Sequence, residues 1–125
     1  MIFDTDILIW IQRGNEKAAK LIDINQERYI SVQTYMELLQ CATSQQQHKI
    51  TKDFLHDFNF EVIPLSENIG HRAAIYIEEY TLSHSLRAAD AIIAATAIEK
   101  NFVLSSGNGK HFKAIKDLKL KLFRP

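Results

Sequence analysis

Asp4 and Asp6 stand two residues apart directly behind the apolar start Met1-Ile2-Phe3. A run this short and apolar reads as a buried strand, and an acid at its end needs a reason. A carboxylate taken out of water is costly unless it is hydrogen-bonded, paired or beside a cation. One of the two is expected to cap the helix that follows, and Asp6, just before Ile7-Leu8-Ile9-Trp10, suits that role better than Asp4. Glu37 sits one turn into a helix among apolar neighbours, in Tyr35-Met36-Glu37-Leu38-Leu39. Asp90 has Leu86, Ile93 and Ala94 as its helical neighbours. Its carboxylate therefore borders the core, unless a salt bridge to Arg87 accounts for it. Three carboxylates brought to one place repel one another unless cations sit among them. Hard oxygen donors suit Mg²⁺ or Mn²⁺, and the chemistry that such a cation supports is phosphodiester hydrolysis. No P-loop, dinucleotide-binding Gly-rich turn or serine-nucleophile elbow competes with this reading.

These acids need elements to hold them. Residues 28–32, 60–65 and 102–105 read as further short strands, and 120–123 as an edge strand. Helical spacing covers 7–13, 16–24 behind Asn15 as N-cap, 33–42, 46–58 and a segment opened by Ser66. The clearest helix is 86–100, starting from Ser85, with Ala89, Ile92, Ile93, Thr96 and Ala97 on one buried stripe. Strands alternating with helices predict a three-layer α/β/α fold, a central mostly parallel sheet of four or five short strands. Such sheets bind ligands beyond their strand ends, where the acids fall.

At 125 residues and 14.4 kDa the chain reads as one domain, residues 1–125, with 46% hydrophobic and 24% charged residues. Cys41 is the only cysteine, so no internal disulfide forms and no cysteine-rich zinc site is available. No apolar run approaches the ~18 residues of a membrane span, and no signal-type segment opens the chain. The expected setting is a reducing cytoplasm, away from membranes. Net charge is zero but unevenly spread. Residues 1–99 hold 8 Lys/Arg against 14 Asp/Glu, a balance of −6, and residues 100–125 hold 7 against 1, a balance of +6. A basic tail on an acidic body can hold a polyanion near a cation-loaded site. Lys110, Lys113 and Lys116, at three-residue spacing, would share one face of a helix and offer it to RNA phosphates.

Four segments together carry a family resemblance: Ile2-Phe3-Asp4-Thr5-Asp6-Ile7-Leu8-Ile9-Trp10, then Ile30-Ser31-Val32 with Thr34-Tyr35-Met36-Glu37-Leu38-Leu39, then residues 82–97 around Asp90, then Ser106-Gly107-Asn108-Gly109-Lys110-His111-Phe112. In this order and spacing the chain resembles PIN-domain proteins, and among them the VapC-type toxin ribonucleases of toxin–antitoxin systems. The resemblance implies a Mg²⁺-dependent endoribonuclease with Asp4, Glu37 and Asp90 as catalytic and metal-binding acids. It puts Asn108 at the family's fourth acidic position and His111 at a further acidic position, and Gly107 replaces a common basic residue. Asn108 could then bond to a metal-bound water or orient Asp4, while His111 is expected to pack beside Phe112. Cys41 and His84 read as structural. The resemblance also implies a cognate antitoxin and a toxin homodimer. An amphipathic antitoxin segment would lie in an apolar groove walled by the first helix, around Ile7, Ile9, Trp10 and Ile11, and the Glu37 helix, around Tyr35, Leu38 and Leu39. Trp10, Tyr35 and Leu39 are the contacts expected there.

Two other readings remain. Asp4-Thr5-Asp6 after a first strand also resembles the nucleophile motif of haloacid-dehalogenase-type phosphatases, although the chain is short for that fold. The missing fourth acid also suits a PIN-fold module that binds RNA or a partner without cutting.

Overall fold

The computed structural model describes residues 1–125. Five strands form one sheet: β1 (Ile2–Phe3), β2 (Arg28–Ser31), β3 (Phe60–Ile63), β4 (Leu104–Ser106) and β5 (Leu120–Leu122). Their order is β3-β2-β1-β4-β5, and every neighbouring pair is parallel. Seven helices cross between them: α1 (Thr5–Gln12), α2 (Glu16–Ile24), α3 (Val32–Cys41), α4 (Gln45–Asp57), α5 (Glu67–His84), α6 (Ala88–Lys100) and α7 (Gly109–Phe112). The expected three-layer α/β/α architecture is what forms.

Strand periodicity divides the core in two. Ile2 and Leu104 point to the face covered by α5 and α6, joining Ile69, Ala73, Ile93 and Ala97. Phe3 and Ile30 point the other way and meet Ile7 and Leu8 of α1, Leu21 of α2 and Leu38 of α3. Central β1 is covered on both faces, and Ile2 and Phe3 are fully buried, as a strand with no polar face requires. From β1 the chain winds outward through β2 to β3, then returns to the opposite side of β1 as β4. The order therefore reverses between β1 and β4. At that reversal the connecting loops part and leave a crevice at the carboxyl ends of the strands.

Several boundaries move. The helix expected over 86–100 begins at Ala88 with Arg87 as N-cap. Ser85, expected to start it, instead ends α5 in the left-handed conformation, with φ 56°. The lysine segment is not one helix. Only Gly109–Phe112 is helical, Lys113 caps it and the chain then turns. Lys110, Lys113 and Lys116 thus lack the common helical face expected of them. Lys116 lines a separate pocket with Arg72 and Asp117.

Candidate active site

The crevice at the β1/β4 reversal is an open pocket of about 470 Å³ lined by Asp4, Thr5, Asp6, Ile9, Glu37, Asp90, Gly107 and Asn108. Asp4 leaves the end of β1, Glu37 projects from α3, Asp90 from the first turn of α6, and Asn108 follows β4. The four positions singled out in the sequence therefore share one cavity, and Asp6 joins them.

The helix cap falls on Asp4 and not on Asp6 as expected. Asp4 is the N-cap of α1, with Oδ1 accepting from the Thr5 N–H at 2.8 Å. Its other oxygen accepts from the Ser106 hydroxyl at 2.6 Å, and the Ser106 oxygen in turn accepts the Asn108 N–H at 2.9 Å. Asn108 does orient Asp4, but through its backbone and by way of Ser106. Asp4 is only 7% exposed. Burial first, then the charge of Asp6, pushes its carboxyl up to about 7 against the pull of the Ser106 and Thr5 hydrogen bonds, with Asp90 adding to the rise. Asp6 lies inside the first turn of α1. Its Oδ2 accepts the Gly107 N–H at 2.9 Å, while Oδ1 is buried without a protein partner. Its carboxyl is also raised, chiefly by burial. A Cβ at position 107 would stand 2.9 Å from Asp6 Oδ2 and 3.3 Å from the Phe123 carbonyl oxygen. Glycine here is what lets the loop close on Asp6, so the basic residue common in the family would not fit without movement.

Two threonines hold Glu37. Thr5 Oγ1 lies 3.2 Å from Glu37 Oε1 and 3.0 Å from the hydroxyl of buried Thr34. A carboxylate only accepts, so Thr5 donates to Glu37 and Thr34 donates to Thr5. Gln33 reaches the same Oε1 at 3.4 Å. Asp90 Oδ2 accepts the Arg87 N–H at 3.3 Å, so its link to Arg87 runs through the backbone and not through the guanidinium. The same oxygen lies 2.8 Å from His111 Nδ1. His111 thus does more than pack beside Phe112. Because Asp90 accepts, Nδ1 carries the proton; Asn108 Nδ2 stands 2.9 Å from the same ring nitrogen, where an amide donor has nothing to donate to unless the Asn108 amide is turned over.

These bonds fall on one oxygen each of Glu37 and Asp90, leaving Oε2 and Oδ1 to the pocket. With the unpartnered Asp6 Oδ1, the free donors are all hard carboxylate oxygens, which fits Mg²⁺ or Mn²⁺. No three of the chain's His, Cys, Asp and Glu side chains gather tightly enough to hold an ion between them. The fit is therefore to a cation that keeps much of its water and takes one or two carboxylates directly.

Sequence reasoning missed Ser106, Thr5, Thr34 and the bond from His111. The one available signal was hydroxyl residues beside suspected acids, Thr5 after Asp4 and Thr34 one turn before Glu37. Nothing local pointed to Ser106, which is 102 positions from Asp4.

The expected groove also changes walls. A groove of about 460 Å³ runs between α1, α3 and α4, lined by Ile11, Leu38, Cys41, Ile50 and Phe54 among others. Trp10, Tyr35 and Leu39 do not line it. Trp10 and Tyr35 pack against the α1–α3 side of the core, half-buried. Cys41 and His84, read as structural, are both exposed.

The family profile for the PIN domain matches residues 1–118. A toxin–antitoxin complex from Klebsiella pneumoniae contains a chain that is 30% identical, with 94% of this chain and 93% of that one covered and a TM-score of 0.80. VapBC2 from Rickettsia felis, bound to a DNA fragment from its promoter, is 23% identical over 99% of this chain and 100% of that one, with a TM-score of 0.81. VapBC-1 from nontypeable Haemophilus influenzae is 23% identical over 98% of each chain, with a TM-score of 0.77. These last two match in fold. No curated protein sequence matches the chain. The chain belongs to the PIN-domain family, whose members are nucleases. That membership answers the phosphatase reading of Asp4-Thr5-Asp6. No helix is long and apolar enough to cross a membrane.

Proposed function

We propose that the chain is a metal-dependent endoribonuclease and the toxin of a toxin–antitoxin pair. One observation carries the reading. Acids from three separate elements, Asp4 and Asp6 at the start of α1, Glu37 on α3 and Asp90 on α6, open onto a single crevice at the sheet's reversal point. Asp4, Glu37 and Asp90 would hold a hydrated Mg²⁺ or Mn²⁺, one or two of them directly and the rest through the cation's waters. When bound, such a cation supplies charge stabilisation at the attacked phosphate and lowers the pKa of water. The chain's own part is orientation: Ser106 and the Asn108 N–H fix Asp4, Thr5 fixes Glu37, and His111 with the Arg87 N–H fixes Asp90.

The partner is a cognate antitoxin. The similar chain from Klebsiella pneumoniae belongs to a toxin–antitoxin complex and the other two to VapBC structures, and the α1–α3–α4 groove offers an apolar seat for an amphipathic segment. A toxin homodimer and a cytoplasmic setting belong to the same proposal. The test is cleavage of total RNA by the purified chain with Mg²⁺, Mn²⁺ or chelator, alongside Asp90→Asn. Metal-dependent cleavage lost in Asp90→Asn supports the reading. Cleavage that ignores both metal and substitution refutes it. RNA bound but never cut would favour the non-cutting PIN module, to which Asn108 and His111 in place of acids lend some weight.

A further inference from the structure

Beside the acid crevice lies a second, shallow pocket of about 250 Å³ with the opposite character. Lys17 and Lys20 of α2, one turn apart on one face, meet Lys121 of β5 and Arg124 across it. All four side chains are exposed, none has a carboxylate partner, and no acid lines the pocket. In a chain of zero net charge whose first 99 residues are acidic, four unpaired cations at one place are a concentration that folding has produced. Ser105 also lines the pocket, fully buried, and its hydroxyl has no hydrogen-bond partner. A buried hydroxyl left unpaired calls for a polar group that arrives from outside.

The pocket adjoins the acid crevice. Ser105 and Lys121 are register partners, and the Phe123 N–H donates to the Ser106 carbonyl. Gly107 then lies between the Phe123 carbonyl and the Asp6 carboxylate. The cations and acids are thus two sides of the same β4–β5 edge. We propose that Lys17, Lys20, Lys121 and Arg124 form a phosphate subsite that seats the backbone of single-stranded RNA next to the acid crevice. This rests on the nuclease reading for the identity of the polyanion. Four cations from α2, β5 and the residue Arg124 beyond it match a chain of phosphates and read no base, so the subsite positions the strand without selecting its sequence.

The experiment measures binding of a short single-stranded RNA to the Asp90→Asn protein, where no cleavage interferes, across a salt series. The double variant Lys20→Gln/Lys121→Gln takes one cation from each side. Lys49→Gln/Lys52→Gln, on α4, changes net charge equally and serves as the control. Expected is about a tenfold loss of affinity and a salt slope shallower by about 1.4 for the first pair, with little change for the second. Equal weakening by both pairs, no weakening by the first, no RNA binding by the parent, or tighter binding of duplex DNA than of RNA would each overturn the proposal. Wild-type cleavage is scored separately. A protein that never cuts but shows the pair-specific loss would defeat the nuclease reading and leave the subsite standing.

Discussion

The acid crevice and the apolar groove share α1 and α3 yet are built on opposite principles. The crevice is polar and tightly tied. Asp4, Glu37 and Asp90 are each held by at least two hydrogen bonds from other residues. The groove is lined mainly by side chains that carry no such ties, including Ile50, which is 60% exposed on α4. A site that positions charge must fix its atoms before the ligand arrives. A site that receives an apolar segment needs only a shaped, incompletely covered surface. The first kind depends on residue identity, the second on which side chains neighbouring helices leave uncovered.

The largest effect should come from the crevice. Asp90→Asn is expected to lower RNA cleavage by on the order of 10³-fold, as loss of several kcal/mol of transition-state stabilisation implies. The metal-free melting temperature should hold or rise, because Asp90 adds to the repulsion that raises Asp4 and Asp6. Unfolding of that variant would make Asp90 a structural residue and erase the contrast.

The next effect concerns pH. Unfolded, Asp4 titrates near 3.8; folded, near 7. Between those values the folded state binds the extra proton. The stability this contributes is full below about pH 4 and is lost as pH rises toward 7, by about 4 kcal/mol at most. Urea titrations of metal-free protein should show that decline, and Asp4→Asn should flatten it. Saturating Mg²⁺ should restore part of the loss at high pH, since a cation bound only by the folded state stabilises it. A flat wild-type profile would mean that Asp4 is not the strained acid of the pair.

The groove is tested by two substitutions that should separate. Trp10→Ala should cost about 2 kcal/mol of folding stability, from lost packing against the core, and leave antitoxin affinity unchanged. Ile50→Ala should cost about 1 kcal/mol of antitoxin binding and little folding stability. Calorimetric titration with chemical denaturation reads both, and the reverse pattern would return the groove to the Trp10 side of α1.

The smallest effect probes His111. His111→Ala should weaken Mg²⁺ binding and cleavage about tenfold, as loss of a residue that orients a ligand does. His111→Asn, which can place an N–H where Nδ1 stands, should recover most of it, and His111→Gln should not. Recovery by glutamine alone would point to the other ring nitrogen.

Local pattern determined much of this protein. Alternating strand and helix signals implied a layered parallel sheet, and an acid after a buried strand or on an apolar helix face has few innocent explanations. Asp4, Glu37 and Asp90 were therefore legible one at a time, and the PIN-domain resemblance grouped them. What local pattern could not supply was mutual placement. Which of Asp4 and Asp6 capped α1 depended on Ser106 and Gly107, which reach that spot only through the β1–β4 pairing. Lys110, Lys113 and Lys116 looked like one face because spacing assumes a helix, but the helix stops at Phe112. Lys17 and Lys121 look unrelated in the chain and line one pocket in the fold. Trp10 and Ile50 show the same limit for apolar residues. Spacing tells which side chains share a face, whereas only tertiary packing decides which face a neighbouring helix covers, because burial belongs to pairs of surfaces and not to one helix alone.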